Sequence, residues 1–180
     1  SLGGAVALAS TNGAVTFSGT LNGGENLTIT AGTGAVTFTG AVGGTTRLGT
    51  LNIATAGNVT AAALTLGAFD QDAGTGTTTF NGAVNTNTSA GVVVANTTLA
   101  VNAGVTTTSN GVVTFTQSGA TTIAAAGDIV SDGAVVITSG GGTTTSGDVT
   151  TTADVITFAS ATSLGGAVAL ASTNGAVTFS

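Results

Sequence analysis

The chain repeats a phrase in which large apolar residues stand two apart with a threonine between them: Val15-Thr16-Phe17, Val36-Thr37-Phe38, Val113-Thr114-Phe115 and Val177-Thr178-Phe179. Side chains alternate across a strand, so this spacing sends Val and Phe to one side and Thr to the other. A second set has the same period: Val6-Ala7-Leu8, Leu27-Thr28-Ile29, Leu51-Asn52-Ile53, Leu64-Thr65-Leu66 and Leu99-Ala100-Val101. The pattern predicts short strands separated by Gly, Asn and Thr turns, built from residue types that suit a pleated surface. A helical reading fails. No long segment carries apolar positions at i, i+3, i+4 and i+7, and 40 Thr with 30 Gly penalise helix residue by residue. The runs Ala61-Ala62-Ala63 and Ala124-Ala125-Ala126 are too short to nucleate a helix and are expected at tight corners or small inward positions.

Two periods organise these strands. Residues 1–18 (SLGGAVALASTNGAVTFS) recur unchanged as residues 163–180, which sets a long period of 162. Residues 1–162 are therefore read as one repeat of a tandem array, and 163–180 as the start of the next. Inside the repeat, Gly-x-Val-x-Phe and its looser relatives are anchored at Gly13, Gly34, Gly57, Gly76, Gly91, Gly111, Gly133, Ala153 and Gly175. The steps are 21, 23, 19, 15, 20, 22, 20 and 22 residues, eight units with a mean of 20.25. A propeller blade needs about twice this length, and an immunoglobulin-like sandwich would impose a period near ~100. A coil of ~20 residues is the circumference of a parallel β-helix climbing ~4.8 Å per coil. The expected fold is all-β, a right-handed parallel β-helix (β-solenoid) with about eight coils per 162-residue repeat, the hand following from the preference of parallel crossovers.

In that arrangement Phe17, Phe38, Phe80, Phe115, Phe158 and Phe179 fall at the same place in the unit and are expected to stack as an internal ladder. Phe69 lies outside that register. It marks the expected departure from regular coiling, on a loop with Asp70 and Asp72. Glycine is expected at corners that need positive φ, and the asparagines of Asn12-Gly13, Asn81-Gly82 and Asn110-Gly111 tolerate the same region. The absence of proline suits a stack in which each coil both donates to and accepts from its neighbours.

Composition changes this picture mainly by subtraction. The chain holds seven acids, one base (Arg47), and no His, Cys, Lys, Met, Trp or Tyr. A general base titrating near neutrality, a thiol nucleophile, a Schiff-base lysine, a His/Cys metal cage and a basic nucleic-acid face all need residue types that are missing. The expectation is a protein that is not an enzyme, takes no cofactor or metal and has no nucleic-acid partner. The apolar run Val92-Val93-Val94-Ala95 is far short of the ~20 residues that cross a bilayer. Ser1-Leu2-Gly3-Gly4 has no charged or apolar leader pattern. Asp70-Gln71-Asp72 puts two carboxylates on one strand face, or both in a loop, which could offer oxygen ligands to Ca²⁺. A solvated bend is the expected reading, because Asp128, Asp132, Asp148 and Asp154 are too scattered in sequence to extend the pair. Arg47 is expected in a single surface ion pair. The sequons beginning at Asn26, Asn58, Asn87 and Asn96 follow from a composition rich in Asn and Thr. Thr28-Ile29-Thr30 and Thr37-Phe38-Thr39 are similar to the flat Thr rows of ice-binding solenoids, but the rows read as imperfect from coil to coil.

The phrases Gly-Ala-Val-Thr-Phe-Thr-Gly at 34–40 and Gly-Asn-Val-Thr-Ala-Ala-Ala-Leu-Thr-Leu at 57–66, with the ~20-residue coil, resemble the repeat region of filamentous-haemagglutinin-like adhesins and related autotransporter-type bacterial surface proteins. The resemblance covers essentially the whole chain and carries over no functional residue. It implies a secreted, very long β-helix displayed at a bacterial surface as stalk, adhesin or fibre. The secretion domain, anchor and receptor-binding segment of such proteins would lie outside these 180 residues. Expected partners are neighbouring repeats, lateral fibre contacts and host or cell-surface glycans or proteins, through outward Thr and Asn. The alternative is a self-assembling, amyloid-like or S-layer-type subunit whose separate chains stack through open coil ends.

Overall fold

Where the alternating phrases lie between two neighbouring coils, their outer members are buried and the residue between them is not: Val36 and Phe38 flank a half-buried Thr37, and Val113 and Phe115 flank Thr114. The computed structural model describes residues 1–152 and 154–180. The described residues form 22 strands and no helix. Each strand between the two end coils pairs in parallel with the strand one coil before it and the strand one coil after it, so the chain winds as a β-solenoid.

Three strand stacks make three faces. The first stacks Val6–Ala9, Leu27–Thr30, the second halves of Leu48–Thr55 and Leu64–Gln71, then Val92–Asn96, Val113–Gln117, Val135–Ser139, Ile156–Phe158 and Val177–Phe179. The second stacks Val15–Phe17, Val36–Phe38, Val59–Ala61, Thr77–Phe80, Thr98–Val101, Thr121–Ile123, Thr143–Thr145 and Thr162–Leu164. The third begins as the bridges Leu21 to Val42 to Leu64 and continues through Val84–Thr86, Val105–Thr107, Ile129–Ser131, Val149–Thr151 and Leu170–Ser172. Leu48–Thr55 and Leu64–Gln71 cross the corner between third and first faces unbroken, joining them into one 14-stranded sheet beside the 8-stranded second face.

Inward residues stack in columns, such as Leu27, Leu51, Phe69, Val92, Val113, Val135 and Ile156, all fully buried. A buried aliphatic or phenyl side chain contributes about 1.5–3 kcal/mol, and here each also seats the coil above it. From Val6 to Val177 on the first face the chain runs 171 residues in eight coils, a mean of 21.4 per coil.

The anchors do not stay on one face. Those from Gly13 to Gly76 lead into the second face and those from Gly91 to Gly175 into the first, while Ala153 lies outside the described residues. The 15-residue step from Gly76 to Gly91 is therefore two-thirds of a coil, and not a short coil. At Gly91 the inward residues are Val92 and Val94, one position earlier than the phrase suggests for Val93. It follows that 162 residues span seven and two-thirds coils. Val15–Phe17 is on the second face, whereas the identical Val177–Phe179 is on the first. Likewise Leu8 stands on the first face and its copy Leu170 on the third.

The six phenylalanines consequently form two columns in place of the single ladder expected. Phe17, Phe38 and Phe80 share a second-face column with Ala61 between the latter two, and Phe17 stacks on Phe38 at 5.0 Å and 7°. Phe115, Phe158 and Phe179 share a first-face column with Ile137, and Phe158 stacks on Phe179 at 5.2 Å and 9°. Phe69 is not on a loop. It is fully buried in Leu64–Gln71 and meets Phe80 edge-on at 5.3 Å, at the place where the anchors change face.

Corners carry the expected positive-φ residues, including Asn12 (66°), Asn110 (59°) and Gly91 (63°). Gly91 combines that φ with a close approach: a Cβ there would strike the backbone of Val112 in the next coil.

Candidate functional site

Outward positions follow from the same alternation. On the second face the middle residues of successive strands are Thr16, Thr37, Thr60, Thr79, Ala100, Thr122, Thr144 and Ser163. Seven of these eight carry a hydroxyl, so one Thr column is nearly continuous where the sequence suggested only imperfect rows. On the first face the corresponding column is mixed: Thr28, Asn52, Asp70, Val93, Thr114, Val136, Thr157 and Thr178.

Asp70 is the last but one residue of its strand, and Asp72 follows it. Both lie outside around the inward Gln71, and the solvated bend expected of the pair is not found at Asp70, which belongs to a paired strand that ends only at Gln71. Asn52, one coil earlier, donates Nδ2 to Asp72 Oδ2 at 3.0 Å and reaches Asp70 Oδ2 at 3.5 Å. Partial burial raises the Asp70 pKa above 3.8 and the neighbouring Asp72 carboxylate raises it further, while the Asn52 amide works against both. Among the described residues no group of three or more His, Cys, Asp or Glu gathers as a metal site, and no pocket opens.

The other acids are less scattered than their sequence spacing implies. Asp128 Oδ1 accepts from the Asp148 amide at 2.9 Å, and Asp148 Oδ1 accepts from the Ala169 amide at 2.7 Å, a carboxylate ladder up one corner. Asp132 Oδ2 accepts from the Asn110 amide at 2.8 Å and its Oδ1 from Thr152 Oγ1 at 3.0 Å, which holds its pKa below 3.8. Asparagines do the same work elsewhere: Asn12, Asn22, Asn26 and Asn58 accept through Oδ1 from the amides of Thr33, Thr45, Thr50 and Thr77 in the next coil. Two of the four sequon asparagines, Asn26 and Asn58, are therefore corner staples, and Asn96 is buried.

Arg47 does not make the expected ion pair. Its Nη1 donates to Leu66 O at 2.6 Å and Asn85 O at 3.0 Å, carbonyls of the two coils above it. The Asn87 amide, next along the ladder, turns to Gly67 O at 3.2 Å and leaves Leu66 O to the guanidinium. Arg47 fastens three coils beside the corner between the third and first faces.

Sequence reasoning missed a set of buried polar side chains between the aliphatic columns. Gln71 Oε1 accepts from Thr78 Oγ1 at 2.6 Å with both residues fully buried. One coil up, Asn96 donates to Thr98 O, and above it Gln117 donates to Val94 O and accepts from Thr121 Oγ1 at 2.7 Å. Thr121 also meets Ser139 Oγ at 2.6 Å. At another corner Thr107 and Ser131 both donate to Gly111 O. Gln71 Nε2, Asn96 Oδ1 and Thr86 Oγ1 are buried without a hydrogen-bond partner. The available signal was parity: Gln71 stands two residues after Phe69, on the inward side.

Comparisons with protein-family models, with curated proteins and with solved structures find no match to this chain.

Proposed function

We propose that this chain is a segment of a structural and adhesive fibre on the outside of a bacterial cell, built from tandem 162-residue β-solenoid repeats. The observation that carries the reading is a parallel ladder open at both ends, with the same 18 residues forming the first and last coils. A stack of this kind lengthens without changing its cross-section, since each coil contacts only its neighbours. Mechanical resistance would come from the continuous hydrogen-bond ladder. Outward Thr and Asn would supply hydroxyl and amide groups for lateral contact or for glycans. The resemblance to filamentous-haemagglutinin-like and autotransporter-type adhesins supports the surface role.

Polypeptides carrying one, two and four copies of residues 1–162 test the architecture. Electron microscopy should find rods that lengthen by about 37 Å per copy, at ~4.8 Å per coil, and beads on a string would overturn the reading. Antibody against the chain should label intact cells that make it, and labelling only after lysis would remove the surface role. The open end also suits separate chains that stack, because Phe179 and Leu164 are each 53% exposed there. The mass of the polypeptide in denaturant separates the two: a very long chain supports tandem repeats, a short one supports assembly.

A further inference from the structure

We infer that the open side of residues 163–180 is covered by a stretch with the sequence of residues 19–40, and that each repeat is thereby turned back by a third of a coil against the one before it. The inference rests on the tandem-fibre reading and adds to it how successive repeats meet.

The chain shows both sides of the shared 18-residue coil. As residues 163–180 its lower side is paired: Leu170 with Val149, Val177 with Ile156, and Phe179 stacked on Phe158. Its upper side is open, leaving Phe179 53% and Val177 37% exposed. As residues 1–18 the same letters have their upper side paired. Val6 and Leu8 oppose Leu27 and Ile29, Val15 and Phe17 oppose Val36 and Phe38, and Asn12 Oδ1 accepts from the Thr33 amide at 2.9 Å. The partner in every case is a residue of 19–40. Put together, the two views describe one coil paired on both sides, with no contact that the chain does not already make.

The segment occupies either face with a local change at its corner, where Asn12 has a φ of 66° and its copy Asn174 is not at positive φ. Its corner keeps the same internal bond in both places, Gly13 N to Ser10 Oγ at 3.0 Å and Gly175 N to Ser172 Oγ at 2.8 Å. Yet Val15–Phe17 belongs to the second face and Val177–Phe179 to the first. The next 19–40 stretch, laid on residues 163–180 as the first is laid on 1–18, inherits that shift. Every outward feature moves one face at each seam. The hydroxyl column ending in Thr144 and Ser163 on the second face resumes on the first face at Thr178, the copy of Thr16. After three repeats, 23 coils and roughly 110 Å, the original orientation returns. A partner that recognises the Thr column then meets it from every side of the fibre, and no side carries it without interruption.

The test is a polypeptide with four copies of residues 1–162, Thr16→Cys in each copy, coupled to gold clusters. Thr16 is exposed and the chain has no cysteine of its own, so the label goes only where it is placed. A Thr144→Cys series, exposed on the same column, serves if the first variant fails to fold. Tomography should place successive labels about 37 Å apart along the rod and about 120° round it, the first and fourth aligned about 110 Å apart. A rod with all labels along one side overturns the phase shift and leaves the fibre reading standing. Labels on no common rod overturn both.

Discussion

At the scale of single residues, the same side chain type has opposite effects according to what it meets. Asp70 shares its space with Asp72 and is partly withdrawn from water, so the folded chain holds a proton there more tightly than the unfolded chain does. The stabilisation from that proton is complete below pH 3.8 and is lost as pH rises through the raised folded value, so near neutrality the charged Asp70 works against folding. Asp132 is the reverse case. Its carboxylate accepts from Asn110 and Thr152, its folded pKa lies below 3.8, and its contribution is present above 3.8 and lost as pH falls through the lowered value. Asp70→Asn should therefore be as stable as the parent or more stable at about pH 7, with the difference vanishing in acid, whereas Asp132→Asn should be less stable at about pH 7 and converge on the parent below its folded value. Urea midpoints for the three chains across that range decide the matter, and equal pH profiles would refute it.

At the scale of the strand, alternation assigns which side chains go inside but leaves open which face they build. Val-Thr-Phe reads the same on the second face at 36–38 and on the first at 177–179, because each face asks only for two inward apolar residues with a polar one between. The information was present in one place, the 15-residue step to Gly91, where two strands of the coil fit and three do not. The same alternation, followed on from Phe69, would have placed Gln71 inside, but the expected bend at Asp70 and Asp72 hid it, and its partner Thr78 is contributed by the next face after an intervening corner. Composition, which counts Arg47 only as a cation, held no sign of the two carbonyls it caps. The Gln71 to Thr78 bond makes a prediction of its own. Thr78→Val leaves Gln71 Oε1 buried without a donor beside the partnerless Nε2, and should cost on the order of 1–3 kcal/mol in equilibrium denaturation. Adding Gln71→Leu should recover most of that loss, because removing both polar partners leaves an aliphatic position between Ile53 and Val94. A double variant as unstable as the two single ones summed would mean that the pair is uncoupled.

At the scale of the whole molecule, stability is a chain of nearest-neighbour terms, and the two end coils each lack one neighbour. Residues 1–18 are held from one side by Leu27–Thr30 and Val36–Phe38, and residues 163–180 from one side by Val149–Thr151 and Ile156–Phe158, as Thr162–Leu164 is by Thr143–Thr145. Coils between them are paired above and below, fastened at the corners by Arg47 and by the Asn and Asp staples. Opening at an end breaks one interface, whereas opening in the middle breaks two. Amide hydrogen exchange should therefore be fastest in 1–18 and 163–180 and slowest over the coils from Leu51 to Val135, whose inward residues are buried. Uniform protection would mean that the solenoid opens as a single unit. In a polypeptide of two repeats the seam coil gains its second neighbour, so the protection of 163–180 should rise to that of the middle coils while 1–18 of the first copy stays fast. Since those two segments have the same letters, any difference in their exchange comes from what lies above and below them, and sequence is removed as a cause.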